Sequence, residues 1–300
     1  MADASPRPRT AISIREILFP CDLSPLSDQA FEHARLLAET FRARLTLFHA
    51  YPYYAPGAEG LEGPAWSLAH DPSILRVLDE AAREQLSRRA AGVKVPHTVV
   101  TRQENSPHRA ILDLIWTDQP DLTVMATHGR DGLAHFFIGS VAEKVVRHAQ
   151  RPILAVRGTE HAQNLPYRRI LVPTDFSHSS RRAFPMAALL ARAFGSEILG
   201  LHVARPSARG VAEFPTGTTK AWLPTEASLW RFFEPDFSGL GITTLVFVGN
   251  PWEHIIATAR LEKADLVVMS SRGHDSIADR ILGSQTDRVL RHAPCPVLVV

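Results

Sequence analysis

Cysteine is scarce. Cys21 and Cys295 are the only two in 300 residues. So few, so far apart, argue against a disulfide framework and fit a reducing compartment, so a cytoplasmic location is expected. Long apolar runs are missing as well. None approaches the ~18 residues of a membrane helix, so no membrane partner is expected. The opening "MADASPRPRT" lacks the apolar segment of a signal peptide and reads as a loose tail. Neither sign of charge is in excess. The formal net charge is +2, with 18 basic and 18 acidic side chains in residues 1–157 and 15 and 13 in the rest. A protein that grips nucleic acid by bulk charge needs more, so nucleic acid is not an expected partner. Cys-x-x-Cys and His-Glu-x-x-His are absent, and no metal site is predicted. Gly-x4-Gly-Lys-Ser/Thr is absent, and "GLG" at 239–241 precedes a predicted strand, the wrong context for a dinucleotide fingerprint. There is no Gly-x-Ser-x-Gly, no carboxylate pair at helical spacing near the motif described below, and no general base placed to activate water. No catalytic residue is predicted, and an enzyme is not expected.

What the chain does have is an ordinary globular composition, 45% hydrophobic and 21% charged, and length enough for two domains. It also repeats itself. "ILFPCDLS" at 17–24 matches "ILVPTDFS" at 170–177, and His49 matches His202 at the same offset of 153. "RHAQRPILAV" at 147–156 matches "RHAPCPVLVV" at 291–300 at an offset of 144, so the second copy is nine residues shorter between these landmarks. A period near 150 is too long for a solenoid and marks a duplicated domain. The expected division is 11–157, a polar linker over 158–167, and 168–300.

Within each copy apolar runs alternate with helical patterns. "REILFPC" reads as a buried strand, and "RLTLFHA", "VPHTVVT", "DLTVMAT" and "RPILAV" as four more strands. Ser24-Pro25, Asp71-Pro72, Ser106-Pro107 and, in the second copy, Asn250-Pro251 each open a helix with a capping residue followed by proline. Residues 51–70 read as a loop, and a helix is predicted near Thr225 to Phe233. This alternation implies an α/β fold with a parallel sheet covered on both faces. The fifth strands are strongly apolar edges, and they are expected to cover each other or the opposite half.

The stretch "MATHGRDGLAHFFIGS" (125–140) has Gly129, nine residues, Gly139 and Ser140; "MSSRGHDSIADRILGS" (269–284) has Gly273, nine residues, Gly283 and Ser284. Both lie beyond the C-terminal end of the fourth strand and lead into a helix. Ligands of open α/β sheets bind at that edge, and a helix N-terminus there suits phosphate. Turn residues without a ligand would produce the same spacing. Asp22 and Asp175 follow Pro20 and Pro173 at the end of the first strand of each copy. Their carboxylates suit either a base amino group or ribose hydroxyl, or an Asx-turn.

With these residues in place, each half resembles the universal stress protein family, and nearly the whole chain is similar to two such domains in tandem. The resemblance rests on "ILFPCDLS" and "ILVPTDFS", on "LFHA" and "LHVA", on the glycine stretches, and on the terminal "RPILAV" and "CPVLVV". It implies two Rossmann-like, five-stranded parallel domains of the adenine nucleotide alpha hydrolase-like type, related by a pseudo-two-fold. It also implies binding of ATP or another adenine nucleotide, with magnesium only as the nucleotide's companion. Carried over position by position, Pro20, Asp22 and Ala50 line the adenine and ribose end, and Ala126, Gly129, Gly139, Ser140 and Val141 surround ribose and phosphates. The second-half counterparts are Pro173, Asp175, Val203, Ser270, Gly273, Gly283, Ser284 and Gln285. The ATP-binding branch has Gly-x2-Gly-x9-Gly-Ser/Thr; this chain has Ala126 and Ser270 at the first glycine.

His128, Arg130 and Arg272 are within reach of phosphate or are solvated loop residues. His49 and His202 read as strand-end groups held by hydrogen bonds, and Trp230, Phe232 and Phe233 as core or an interdomain surface. Three functions follow: a nucleotide-binding stress-response regulator acting through conformation or partner contacts, a protein-interaction module with vestigial sites, and a weak ATP-hydrolysing enzyme. The expected partners are the nucleotide, an unnamed protein, and the other half of the same chain, with pairing of two chains left open.

Overall fold

The most apolar runs become short strands buried on both faces. The computed structural model describes residues 12–53, 71–127, 138–158, 164–204, 225–271 and 282–300. The first half comprises β1 (Glu16–Pro20), α1 (Pro25–Phe41), β2 (Arg44–Tyr51), α2 (Pro72–Ala90), β3 (His97–Gln103), α3 (Pro107–Asp118), β4 (Leu122–Ala126), α4 (Ser140–His148) and β5 (Ile153–Val156). The second comprises β6 (Arg169–Thr174), α5 (His178–Arg181), α6 (Phe184–Phe194), β7 (Glu197–Ala204), α7 (Glu226–Phe237), β8 (Ile242–Val248), α8 (Pro251–Leu261), β9 (Leu266–Met269), α9 (Ser284–His292) and β10 (Val297–Val299).

All ten strands belong to one sheet, in the order β3-β2-β1-β4-β5-β10-β9-β6-β7-β8. Each half is parallel, and the order of one is that of the other read outwards from the seam, which is the pseudo-two-fold relation. At the seam β5 and β10 pair antiparallel, with Val297 opposite Ala155, Leu298 opposite Leu154 and Val299 opposite Ile153. Two edges that water would have exposed thus cover each other, as their apolar sequences predict. One core cluster holds Phe19, Leu37, Leu45 and Val124 with Val172, Phe184 and Phe233. The other holds Leu18, Phe48 and Ile111 with Leu171, Leu201 and Val289. Each therefore draws on both halves.

Further contacts cross the seam. Glu143 accepts from Arg147 at 3.0 Å and lies 3.3 Å from Arg291; Asp287 accepts from Arg291 at 2.9 Å and lies 3.8 Å from Arg147. Arg157 donates to the carbonyl of Arg291 near the end of α9, where a cation complements the helix dipole. Tyr167, within the expected linker, is fully buried and hydrogen-bonds His33 Nδ1 at 2.7 Å. The end of that segment is therefore packed rather than loose; 159–163, like most of the predicted loop over 51–70, lies outside the described residues.

The predicted caps form at Ser24 and Asp71, whose side chains accept from Ser27 N and Ser73 N. Ser106 and Asn250 occupy the predicted cap positions without a side-chain cap bond. The helix near Thr225 is longer than its pattern suggested. It runs through Pro235 to Phe237, because Phe233 and Phe237 are both buried against Phe184. Trp230 is 46% exposed, so it is not core; only Phe233 of its cluster is fully buried. Among the described residues no helix is long and apolar enough to cross a membrane.

Candidate functional site

Strand order reverses between β1 and β4 in the first half and between β6 and β9 in the second. The carboxyl ends of these strands therefore flank a crevice of the kind that receives ligands in open α/β sheets. Pro20 and Pro173 sit on β1 and β6, and Asp22 and Asp175 follow them. Ala50 and Val203 lie near the ends of β2 and β7, half-buried against the second core cluster. Ala126 ends β4 and is half-buried; Ser270 directly follows β9 and is buried, 8% exposed.

The turn carrying each aspartate is built alike in both halves. Asp22 Oδ1 accepts from Ser24 N at 3.0 Å and from the Ser27 hydroxyl; Asp175 Oδ1 accepts from Ser177 N at 3.0 Å. These are Asx-turn bonds, so the turn role open to both residues is one they perform. The next residue is left-handed in each case, Leu23 at φ 63° and Phe176 at φ 62°. A bulky side chain there is strained by about 1–2 kcal/mol. The strain is held by a bond to each amide: Cys21 Sγ accepts from Leu23 N at 3.3 Å, and Thr174 Oγ1 from Phe176 N at 3.1 Å. Sulfur and hydroxyl thus do the same work in the two copies. His49 Nδ1 meets the Cys21 carbonyl at 2.7 Å, and His202 Nδ1 meets the Thr174 carbonyl at 2.8 Å. A carbonyl only accepts, so Nδ1 carries the hydrogen in each ring. Both histidines tie the second strand of their half to the end of the first. Burial lowers the His202 pKa against the opposing pull of Thr174 and Asp175.

The described residues on either side of each strand-to-helix segment are bonded to each other. Gly139 N–H donates to the Thr127 carbonyl, and Gly283 N–H to the Ser271 carbonyl at 2.9 Å. Gly139 and Gly283 are the N-caps of α4 and α9, with closely matched dihedrals (φ −57°, ψ 144° and φ −62°, ψ 143°) and no side-chain cap bond. Ser140 and Ser284 are the first helical residues. The amides of each first turn are thus not taken by a capping side chain, as an anion site requires. Gly129 and Gly273, with His128, Arg130 and Arg272, lie outside the described residues.

Val141 and Gln285 begin alike but serve differently. Val141 packs on the second core cluster, whereas Gln285 Oε1 accepts from Trp252 N at 3.0 Å and so caps α8. Nothing in the sequence pattern marked that role. Cationic side chains gather along α4 and α9. Burial, then Arg157, Arg291, Arg260 and Arg288, holds the His292 pKa down; burial, then Lys144, Arg109 and His148, does so at His108. A cleft of about 370 Å³ lined by Glu16, Leu18, Arg44, Thr98 and Asp118 opens at the other edge of the sheet, where strands β1 to β3 begin. It is therefore separate from the crevice at the strand ends.

Comparison with known proteins agrees with this architecture. The model of the universal stress protein family matches twice, over residues 13–157 and 166–300. A universal stress protein of Thermus aquaticus is 35% identical over 136 residues, 45% of this chain and 98% of its own length. One from Mycobacterium tuberculosis is 28% identical over 298 residues, covering 94% of this chain and 95% of that protein. The crystal structure of a universal stress protein from Archaeoglobus fulgidus superposes with a TM-score of 0.66 at 21% identity, covering 95% of this chain and 97% of the other.

Proposed function

Because the chain belongs to the universal stress protein family, with two of its domains in tandem, we propose that it binds ATP or a related adenine nucleotide and acts as a cytoplasmic stress-response regulator through conformation or partner contacts. It is a binder rather than an enzyme. The observation that supports this best is the repeated glycine cap. In each half a helix start without a side-chain cap lies at the strand-order reversal, beside the strand end that carries an aspartate. Phosphates would take the amides opened by Gly139 and Ser140, and by Gly283 and Ser284. Pro20, Asp22 and Ala50, and Pro173, Asp175 and Val203, would border the base and ribose. Ala126 and Ser270 stand where ATP-binding relatives resembling this chain have glycine.

The test is calorimetric titration of the full chain with ATP, ADP and AMP. Gly139→Val should remove one binding event, Gly283→Val the other, and the double variant both. Ala126→Gly should tighten its own site by roughly tenfold or more, since an added methyl in a close-fitting site costs about 1–3 kcal/mol. Equal binding by wild type and double variant would reduce the loops to turns. A second reading has support of its own: Asp22 and Asp175 are bonded into their turns, and Gln285 caps another helix. A protein-interaction module with idle sites would show no nucleotide heat and no nucleotide in the supernatant of the heat-denatured purified chain.

A further inference from the structure

The sheet ends differently on its two sides. At one end β3, "HTVVTRQ", carries His97 and an exposed Arg102 that lies 3.4 Å from Asp113. Charge of this kind guards an edge against pairing. At the other end β8, "ITTLVFV", has seven residues with no charge and no proline. Its inner side is set by the bonds from Ile198 N to Gly241 O at 2.8 Å and from Gly249 N to Ala204 O at 2.9 Å. Parallel pairing alternates, so Ile242, Thr244, Val246 and Val248 turn both N–H and C=O outward. Among the described residues no strand pairs with that side.

Apolar surface collects at the same rim. Phe247 is 38% exposed and Val248 56%. The helix α7 reaches this strand where the Glu226 carbonyl accepts from the Thr244 hydroxyl. Two of the eight exposed large apolar side chains among the described residues, Phe247 and Val248, therefore belong to this edge strand.

We propose that β8 is a homodimer interface, where β8 of a second copy of this chain adds antiparallel about a two-fold through Leu245. The strand is self-complementary in that register. Thr243 faces Phe247 of the second copy, Thr244 faces Val246, and Ile242 faces Val248, so no charge opposes another. The four outward residues meet as hydrogen-bonded pairs, and each outward N–H finds a carbonyl. Leu245 packs on one core cluster and Ile242 and Val246 on the other, so both faces of the joined sheet continue apolar layers that already exist. The chain uses the same device internally, where uncharged β5 and β10 pair antiparallel. The dimer would carry one sheet of twice the width.

Sedimentation velocity over the micromolar range tests this. The wild type should sediment as a dimer. Thr243→Lys with Val248→Lys, both at exposed positions, should be monomeric throughout with unchanged far-ultraviolet circular dichroism. Thr98→Lys, on the guarded edge, should remain dimeric. Leu245→Cys should form an interchain disulfide on mild oxidation, because residues on a non-hydrogen-bonded two-fold stand about 4.5 Å apart between Cα atoms and the native Cys21 and Cys295 are buried. A monomeric wild type, a dimer that survives both lysines, or a dimer that Leu245→Cys does not cross-link would overturn the proposal.

Discussion

Replacing Tyr167 by phenylalanine removes one hydroxyl and leaves the ring. The ring sits edge-on to Phe194 at 5.5 Å and stacks on His33 at 5.7 Å, so its packing is retained and no cavity opens. What is lost is the 2.7 Å bond to His33 Nδ1, made where both side chains are fully buried. Burial pushes the phenol pKa far up, with Asp265 and Cys295 adding to it, so the hydroxyl stays protonated. The penalty is that of a buried hydrogen bond between two polar side chains removed from one side, about 1–3 kcal/mol. The bond joins α1 of the first half to the start of the second, so the loss should lower the stability of the chain as a unit. Urea unfolding followed by circular dichroism should show one transition with a lower midpoint and an unchanged slope. A double-mutant cycle isolates the bond. His33→Leu alone should be costly, while His33→Leu with Tyr167→Phe should cost less than the two single changes together, by about 1 kcal/mol or more. Tyr167→Phe within about 0.5 kcal/mol of wild type, or strictly additive changes, would refute the reasoning.

Gly200→Ala should destabilise by about 1–3 kcal/mol in the same assay. Its new Cβ would stand 3.1–3.3 Å from ring atoms of Phe233, which Phe184 and Phe237 hold in place. A wild-type midpoint would mean that the ring can yield. Helix α1 ends on Arg42 at φ 54° and α6 on Gly195 at φ 65°, so Arg42→Gly should stabilise and Gly195→Ala destabilise, each by about 1 kcal/mol; changes of the same sign would contradict this. Stability should also depend on pH through His202. Its folded pKa lies below the value of about 6.5 for an unfolded histidine, so the unfolded chain takes up the proton first. The His202 contribution is then complete above about pH 6.5 and is lost as pH falls through the folded value. Urea midpoints at pH 7.5 and 5.5 should differ more in wild type than in His202→Gln, and equal differences would assign the effect elsewhere.

Much of this was legible in the sequence because it is written in local terms. Ser24-Pro25 and Asp71-Pro72 announce helix starts through one hydroxyl or carboxylate and one fixed φ. The double apolar strands announce burial on both sides. The uncharged ends "PILAV" and "PVLVV" announce that something must cover them, and each covers the other. Other features depend on partners that no spacing records. Leu23 and Phe176 adopt left-handed backbone because a sulfur and a hydroxyl hold their amides, and neither residue type suggests it. Gln285 caps α8 from a helix 33 residues later in the chain. Trp230 looked apolar enough for the core, but the helix phase gives the buried face to Leu229, Phe233 and Phe237. At the candidate site the pattern identified Gly139 and Gly283 as helix starts, whereas whether Asp22 and Asp175 serve a turn or a ligand could be examined only once their hydrogen-bond partners were known.

The seam between β5 and β10 carries a further consequence, for symmetry itself. In a pair of identical single-domain subunits every substitution is made twice, once on each side of the axis. Whatever helps one binding site while harming the other is closed to such a pair. Joining the halves in one chain removes that constraint while retaining the shared sheet. Cys21 can stand where the other half has Thr174, Val141 where it has Gln285, and Arg42 where it has Gly195, and each half need only fit a partner that differs from itself. The continuous sheet is thus what lets two copies of one fold become unequal without coming apart.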